Sequence, residues 1–188
     1  RLPNRNLLLE RLGQAIRQHE RESRKFALLF VDLDRFKNVN DTLGHVAGDR
    51  LLQETAQRLL GCVRASDTVA RQVGDEFAIL LQDIERSTDA ARVAAKILGK
   101  LAQPFDLDGQ SAYVGASIGI ALFPDDGLES AQLSRNADLA MQRAKETGRN
   151  TFQFFTPEFN QWVTERLRIE NGLRHALARN EMRLHFQP

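Results

Sequence analysis

Apolar positions along the chain change period several times, and each change marks a boundary. Leu7, Leu8, Leu12, Ala15 and Ile16 recur at helical spacing, so residues 5–20 are expected to form an amphipathic helix that the polar stretch 18–25 brings to an end. Residues 26–31 are continuously apolar and of strand length, the pattern of a strand buried on both faces and therefore central. After Gly44, Val46, Leu51, Leu52, Ala56, Leu59 and Leu60 return to a helical period up to about Val63. Residues 68–71 and 76–81 are two strand-like runs joined by a turn containing Val73, Gly74 and Asp75, which predicts a hairpin. Ala90, Ala94, Ile97 and Leu101 predict a helix before Pro104, and residues 111–123 a strand that stops at the Pro124-Asp125-Asp126-Gly127 turn. Leu133, Ala137, Ala140, Met141 and Ala144 predict a helix closed by Gly148, followed by a strand over 151–155 and a last helix over 157–180.

Strands interleaved with helices, one hairpin and no internal repeat imply an α+β fold, a ferredoxin-like mixed central sheet flanked by helices. Charge narrows the function. Lys and Arg number 26 against 25 Asp and Glu, a net +1 with no dense basic block, and one Trp and one Tyr leave few bases a stacking partner. A nucleic-acid partner is therefore not expected, whereas a small phosphorylated ligand is compatible. Cys62 is the single cysteine, so no internal disulfide can form, which suits a reducing compartment. The longest apolar run is too short to span a bilayer and no signal-peptide pattern opens the chain. The expected location is the cytoplasm, alone or as the cytoplasmic part of a membrane-bound or sensor protein. Both ends look cut from a longer protein.

The densest polar cluster follows the buried strand: Asp32, Asp34, Arg35, Lys37, Asn38, Asn40 and Asp41. Carboxylates at a strand's carboxyl end sit where open α/β sheets bind ligands, although Asp34 and Asp41 could equally cap the following short helix. A calcium loop is excluded, since Phe36, Lys37 and Leu43 stand where it needs an oxygen ligand, a glycine and a glutamate. Gly74, Asp75 and Glu76 form a second acidic group at the hairpin turn. If the two apolar strands pair, Asp32 and Asp75 meet and can share one divalent cation, and magnesium suits one or two carboxylates completed by water and phosphate. Lys145 and Arg149 lie at a helix end, either as a dipole-stabilised basic terminus or as a polyphosphate clamp.

These residues resemble the GGDEF domain, whose members make cyclic di-GMP from two GTP molecules. The likeness rests on Leu2-Pro3-Asn4-Arg5, the segment from Asp32 to Asp49, Arg71 through Phe77, Ser117-Ile118-Gly119, and Ala137-Asp138 through Asn150. It implies a nucleotidyl-cyclase-like fold, with residues 1–156 as the GGDEF domain. The tail from Leu173 through Pro188 resembles the opening of an EAL phosphodiesterase domain, which makes 157–188 a linker helix and the start of that domain. By the resemblance, Asp32, the Leu33 carbonyl and Asp75 bind Mg2+ (or Mn2+), and Asp75 also helps activate the ribose 3′-hydroxyl, with Glu76 beside it. Asn40 and Asp49 read guanine, Phe36 and Lys37 cradle phosphates through the backbone, Gly74 shapes the turn, and Lys145 and Arg149 hold the terminal phosphates. Asp34 and Glu76 stand as additional metal or supporting groups. Arg64 and Asp67 match the family's product-inhibition site for cyclic di-GMP, or form an ordinary surface pair.

One departure matters: Val73 replaces the signature's first glycine. A β-branched residue resists positive φ, so Gly74 is expected to carry the turn alone, and an isopropyl group enters space near the nucleotide. Two functions remain. One is a cyclase whose activity needs a second GGDEF domain facing it. The alternative is a catalytically weak or inactive GTP-binding module that regulates an adjoining EAL domain.

Overall fold

A computed structural model describes residues 2–22, 24–159 and 169. The expected helix over 157–180 and the EAL-like tail lie almost wholly outside the described residues. The chain divides into two compact units, 1–155 and 156–188. The first unit opens with α1 (Arg5–Glu22), then β1 (Lys25–Leu33), the short α2 (Phe36–Leu43) and α3 (His45–Leu60). The hairpin β2 (Thr68–Arg71) and β3 (Glu76–Ile84) is followed by α4 (Ser87–Leu101), a small hairpin of β4 (Phe105–Leu107) and β5 (Gln110–Ala112), β6 (Ala116–Phe123), α5 (Ser130–Glu146) and β7 (Thr151–Phe154).

Five strands form one sheet in the order β2-β3-β1-β6-β7. The first four are antiparallel neighbours, and β7 joins β6 in parallel through the α5 crossover. Strands β1, β2, β3 and β6 with their connecting helices therefore make the expected ferredoxin-like core, extended by α1 and β7. The apolar run at 26–31 belongs to β1, which is the middle strand and is buried along almost its whole length.

The sheet carries a core on each face. Ala27, Leu29, Val31 and Leu33 of β1 pack with Leu51 and Leu59 of α3 and Ala94 and Ile97 of α4. Phe26 and Leu28 pack on the other face with Leu8 and Leu12 of α1 and Leu133 and Ala137 of α5. Strand alternation thus assigns each β1 position to a helix layer. The strand expected over 111–123 is broken: Tyr113 to Gly115 leave the ladder, and Gly115 lends its carbonyl to Asp34 N at 2.9 Å. Among the described residues, no helix is long and apolar enough to cross a membrane.

Candidate active site

Asp32 continues the β1 series that faces α1 and α5, so its side chain emerges beneath the last turn of α5. There its Oδ2 meets Lys145 Nζ at 2.8 Å, the carboxylate being 12% and the lysine side chain 33% exposed. Register places Asp32 opposite Glu76 of β3 on one side and Ser117 of β6 on the other. Glu76 follows the same alternation as Asp32, since Phe77 and Ile79 enter the opposite core and Ala78 and Leu80 the core under α5. The hairpin turn, closed by Glu76 N donating to the Val73 carbonyl at 3.0 Å, brings Asp75 to the same end of the sheet. Gly74 carries the positive φ of this turn, at 60°, and Val73 stays out of the left-handed region with its side chain exposed, as expected for valine there. The Arg71 guanidinium donates to the Gly74 carbonyl at 2.8 and 3.1 Å and fixes the turn from beneath.

The acids at this end repel one another. Burial raises the Asp32 carboxyl above the ordinary carboxylate range, Lys145 opposes that, and Asp75 and Asp34 push it further up. Glu76 is raised by burial and then by Asp32, with Asp138 and Asp75 adding to it and Lys145 opposing. Asp138, on α5 two helical turns before Lys145, is raised by burial and is likewise steadied by Lys145. The sequence reading assigned Asp138 no role; its spacing of seven from Lys145 places it on the same helical face and was the available signal. Among the described residues, no three His, Cys, Asp or Glu side chains are grouped to hold an ion by themselves. Asp32 and Asp75 fit the smaller requirement of magnesium or manganese, one or two carboxylates with the remaining positions left to water and phosphate.

Asp34 has a partner on each oxygen: its Oδ1 accepts from Ser117 Oγ at 2.7 Å and its Oδ2 from Asn150 N at 2.9 Å, so it ties β1, β6 and the turn after α5 together. Gly115 makes room for this clamp, since a Cβ there would stand 2.9 Å from Asp34 Oδ2. The turn it anchors holds Arg149 at φ 62° and Asn150 at φ 45°. Neither Asp34 nor Asp41 caps a helix: Arg35, in the left-handed conformation, precedes α2, and no side chain caps either α2 or α3 at its start.

Phe36, Lys37 and Asn40 lie on α2 and Asp49 on the first turns of α3, with Gly44 between them. Asn40 rests against Gly48, where a Cβ would fall 1.9 Å from its Oδ1 and 3.3 Å from Phe36 Cζ. Asp49 is exposed beside it. Arg64 and Asp67 lie away from the acids, between α3 and β2. Asp67 accepts from the backbone N of Arg64 at 2.8 Å and of Gln82 at 3.0 Å, which fixes the loop. Both residues line a cavity of about 690 Å³ together with Asp89, Arg92 and Lys96 of α4. Arg92 and Lys96, one helical turn apart, were not singled out from the sequence.

The sequence profile of the diguanylate cyclase GGDEF domain matches residues 1–151. MucR of Pseudomonas aeruginosa, named a bifunctional diguanylate cyclase/cyclic di-GMP phosphodiesterase, is 48% identical over all of this chain, which corresponds to 27% of MucR. The cyclic di-GMP phosphodiesterase PdeR of Escherichia coli is 40% identical over 187 residues, 28% of its length. The chain therefore spans roughly a quarter of these curated relatives. Among solved structures, the isolated GGDEF domain of TpbB (YfiN) from Pseudomonas aeruginosa superposes with a TM-score of 0.85 at 40% identity, covering 87% of this chain and 95% of that one.

Proposed function

The chain belongs to the GGDEF family of diguanylate cyclase domains, and on that premise we propose that it condenses two GTP molecules into cyclic di-GMP. The observation that carries this reading is the convergence of Asp32, Glu76 and Lys145 with the Asp75 turn at one end of the sheet. Asp32, the Leu33 carbonyl and Asp75 hold the divalent cation, Mg2+ or Mn2+. Bound there, it neutralises charge on the phosphates. Asp75 takes the proton of the attacking ribose 3′-hydroxyl as its oxygen bonds to the α-phosphorus of the second GTP and pyrophosphate leaves with the broken P–O bond. Glu76 holds its carboxylate against the same centre. Asn40 and Asp49 read the guanine edge with an amide and a carboxylate. The backbone N–H groups at the start of α2, around Phe36 and Lys37, cradle phosphate oxygens. Lys145 and Arg149 take the terminal phosphates, Arg149 being set by the turn that Asp34 anchors.

Each domain presents one GTP, so two must face one another, and turnover rises with dimerisation. Residues 1–156 carry this chemistry in the cytoplasm, and 157–188 lead into an adjoining EAL domain, a reading supported by matches to MucR and PdeR that run the length of this chain. Arg64 and Asp67 receive the product, cyclic di-GMP, in the cavity they share with Arg92. Val73 favours a second reading, a GTP-binding module that regulates the EAL domain without making product. PdeR, named for phosphodiesterase activity, is 40% identical to this chain over 187 residues.

Incubation of the protein with GTP and Mg2+ separates the two. Cyclic di-GMP made by the wild type and lost in Asp75→Asn is expected; saturable GTP binding without product would move the assignment to the regulatory module. Calorimetry with cyclic di-GMP tests the product site, and equal affinity of the wild type and Arg64→Ala would remove it.

A further inference from the structure

Lys145 stands in two places at once in the proposed chemistry. Its ammonium is to hold terminal phosphates, yet it also lies 2.8 Å from Asp32 Oδ2, a carboxylate assigned to the metal. We propose that Lys145 is an exchangeable internal cation: it pairs with Asp32, and it leaves for the phosphates when a metal-bound nucleoside triphosphate arrives. This rests on the reading of Asp32 as a metal ligand and concerns what occupies that ligand beforehand.

The geometry favours exchange over a permanent bond. Asp32 is held at the end of the central strand, nearly enclosed, between Glu76 and Ser117 in register. Lys145 reaches it from the last turn of α5 on a long flexible stem, with a third of its side chain in solvent. One partner is fixed and the other is free to swing. Glu76 and Asp138 are steadied by the same ammonium. Lys145 is thus a counter-charge that Asp32, Glu76 and Asp138, each partly desolvated, share.

The exchange has a thermodynamic signature. A metal ion arriving alone must displace the ammonium from Asp32 with no phosphate to receive it, so it binds weakly. A metal ion arriving with triphosphate supplies the ammonium with a new partner, so each ligand strengthens the other. The cluster in this way selects the metal–nucleotide complex over the free ion.

Titration of Mn2+ followed by electron paramagnetic resonance of the free ion reads this directly, without turnover. Lys145→Met, which keeps the stem and removes the charge, is expected to bind Mn2+ alone about tenfold more tightly than the wild type, since a unit charge at contact distance no longer competes. The same variant is expected to lose most of the enhancement of Mn2+ affinity that a non-hydrolysable GTP analogue gives the wild type. Lys145→Gln serves as a second neutral variant, with the melting temperature recorded for both, and Lys145→Arg retains the weak wild-type affinity. Unchanged or weaker Mn2+ binding in both neutral variants overturns the exchange. Asp32→Asn on the Lys145→Met background identifies the site: Mn2+ binding that persists there at full strength contradicts the metal role of Asp32 itself, and the exchange falls with it.

Discussion

A methyl group on Gly48 would land 1.9 Å from Asn40 Oδ1, so the absence of a side chain on α3 decides where the amide on α2 can lie. Gly48→Ala replaces a helical glycine and is expected to hold or raise the melting temperature, a gain of about 0.5–1 kcal/mol in helix propensity against a side-chain shift. GTP affinity in the same variant is expected to fall about tenfold as Asn40 turns away, close to the ~1–1.5 kcal/mol of one hydrogen bond. Equilibrium binding of a fluorescent GTP analogue and thermal unfolding, measured together, check both halves. Val73 poses the converse question. Its side chain is exposed and the turn around it is intact, so Val73→Gly leaves the fold in place. Turnover is expected to rise on the order of tenfold, part of the ~100-fold that a displacement of about 1 Å can cost. Equal rates of cyclic di-GMP formation would show that the isopropyl group is harmless.

Helix α5 carries Asp138 and Lys145, and its height above the sheet is set by Gly119 of β6. A Cβ there would meet Ala137 O at 2.0 Å and Met141 N at 2.2 Å, both main-chain atoms that cannot rotate away. Gly119→Ala is expected to destabilise the domain by about 3 kcal/mol, at the upper end of overpacking costs, and denaturant unfolding measures it. The helix itself, like the buried strand β1 and the β2–β3 hairpin, was legible because its apolar positions keep a single period over many residues. The close approach at Gly119 was not, because it depends on which atoms of another element lie opposite. The break at Tyr113 to Gly115 escaped notice for a related reason: apolar residues on both sides read as one strand, while the bond from Asp34 N to the Gly115 carbonyl is nonlocal. Asp34 was read as part of the acidic site from its place two residues beyond Asp32. Its partners, Ser117 and Asn150, come from distant segments that only the folded sheet brings near.

Across the whole domain, the raised carboxyls of Asp32, Glu76 and Asp138 set how stability responds to pH without ligand. Each has a folded pKa above its ordinary value near 4, so the folded state takes up protons before the unfolded chain does. Their strain is full at neutral pH, is relieved as pH falls through the raised values, and is gone below the ordinary ones. Asp138→Asn is therefore expected to raise the melting temperature at pH 7 and to lose that advantage as the pH falls towards about 4. An advantage that grew on acidification would contradict this sign. Under the proposed function the same accumulation of acids is what a metal-bound triphosphate would relieve, stability being given up where ligand is to be held. The most direct test is a crystal structure with Mn2+ and a non-hydrolysable GTP analogue, the ion located by its anomalous scattering. A single manganese within roughly 2.1–2.2 Å of oxygens from both Asp32 and Asp75, with Lys145 moved onto phosphate, is the expected result. An ion bound without either carboxylate, or these two side chains directed into separate regions around the nucleotide, would contradict the account.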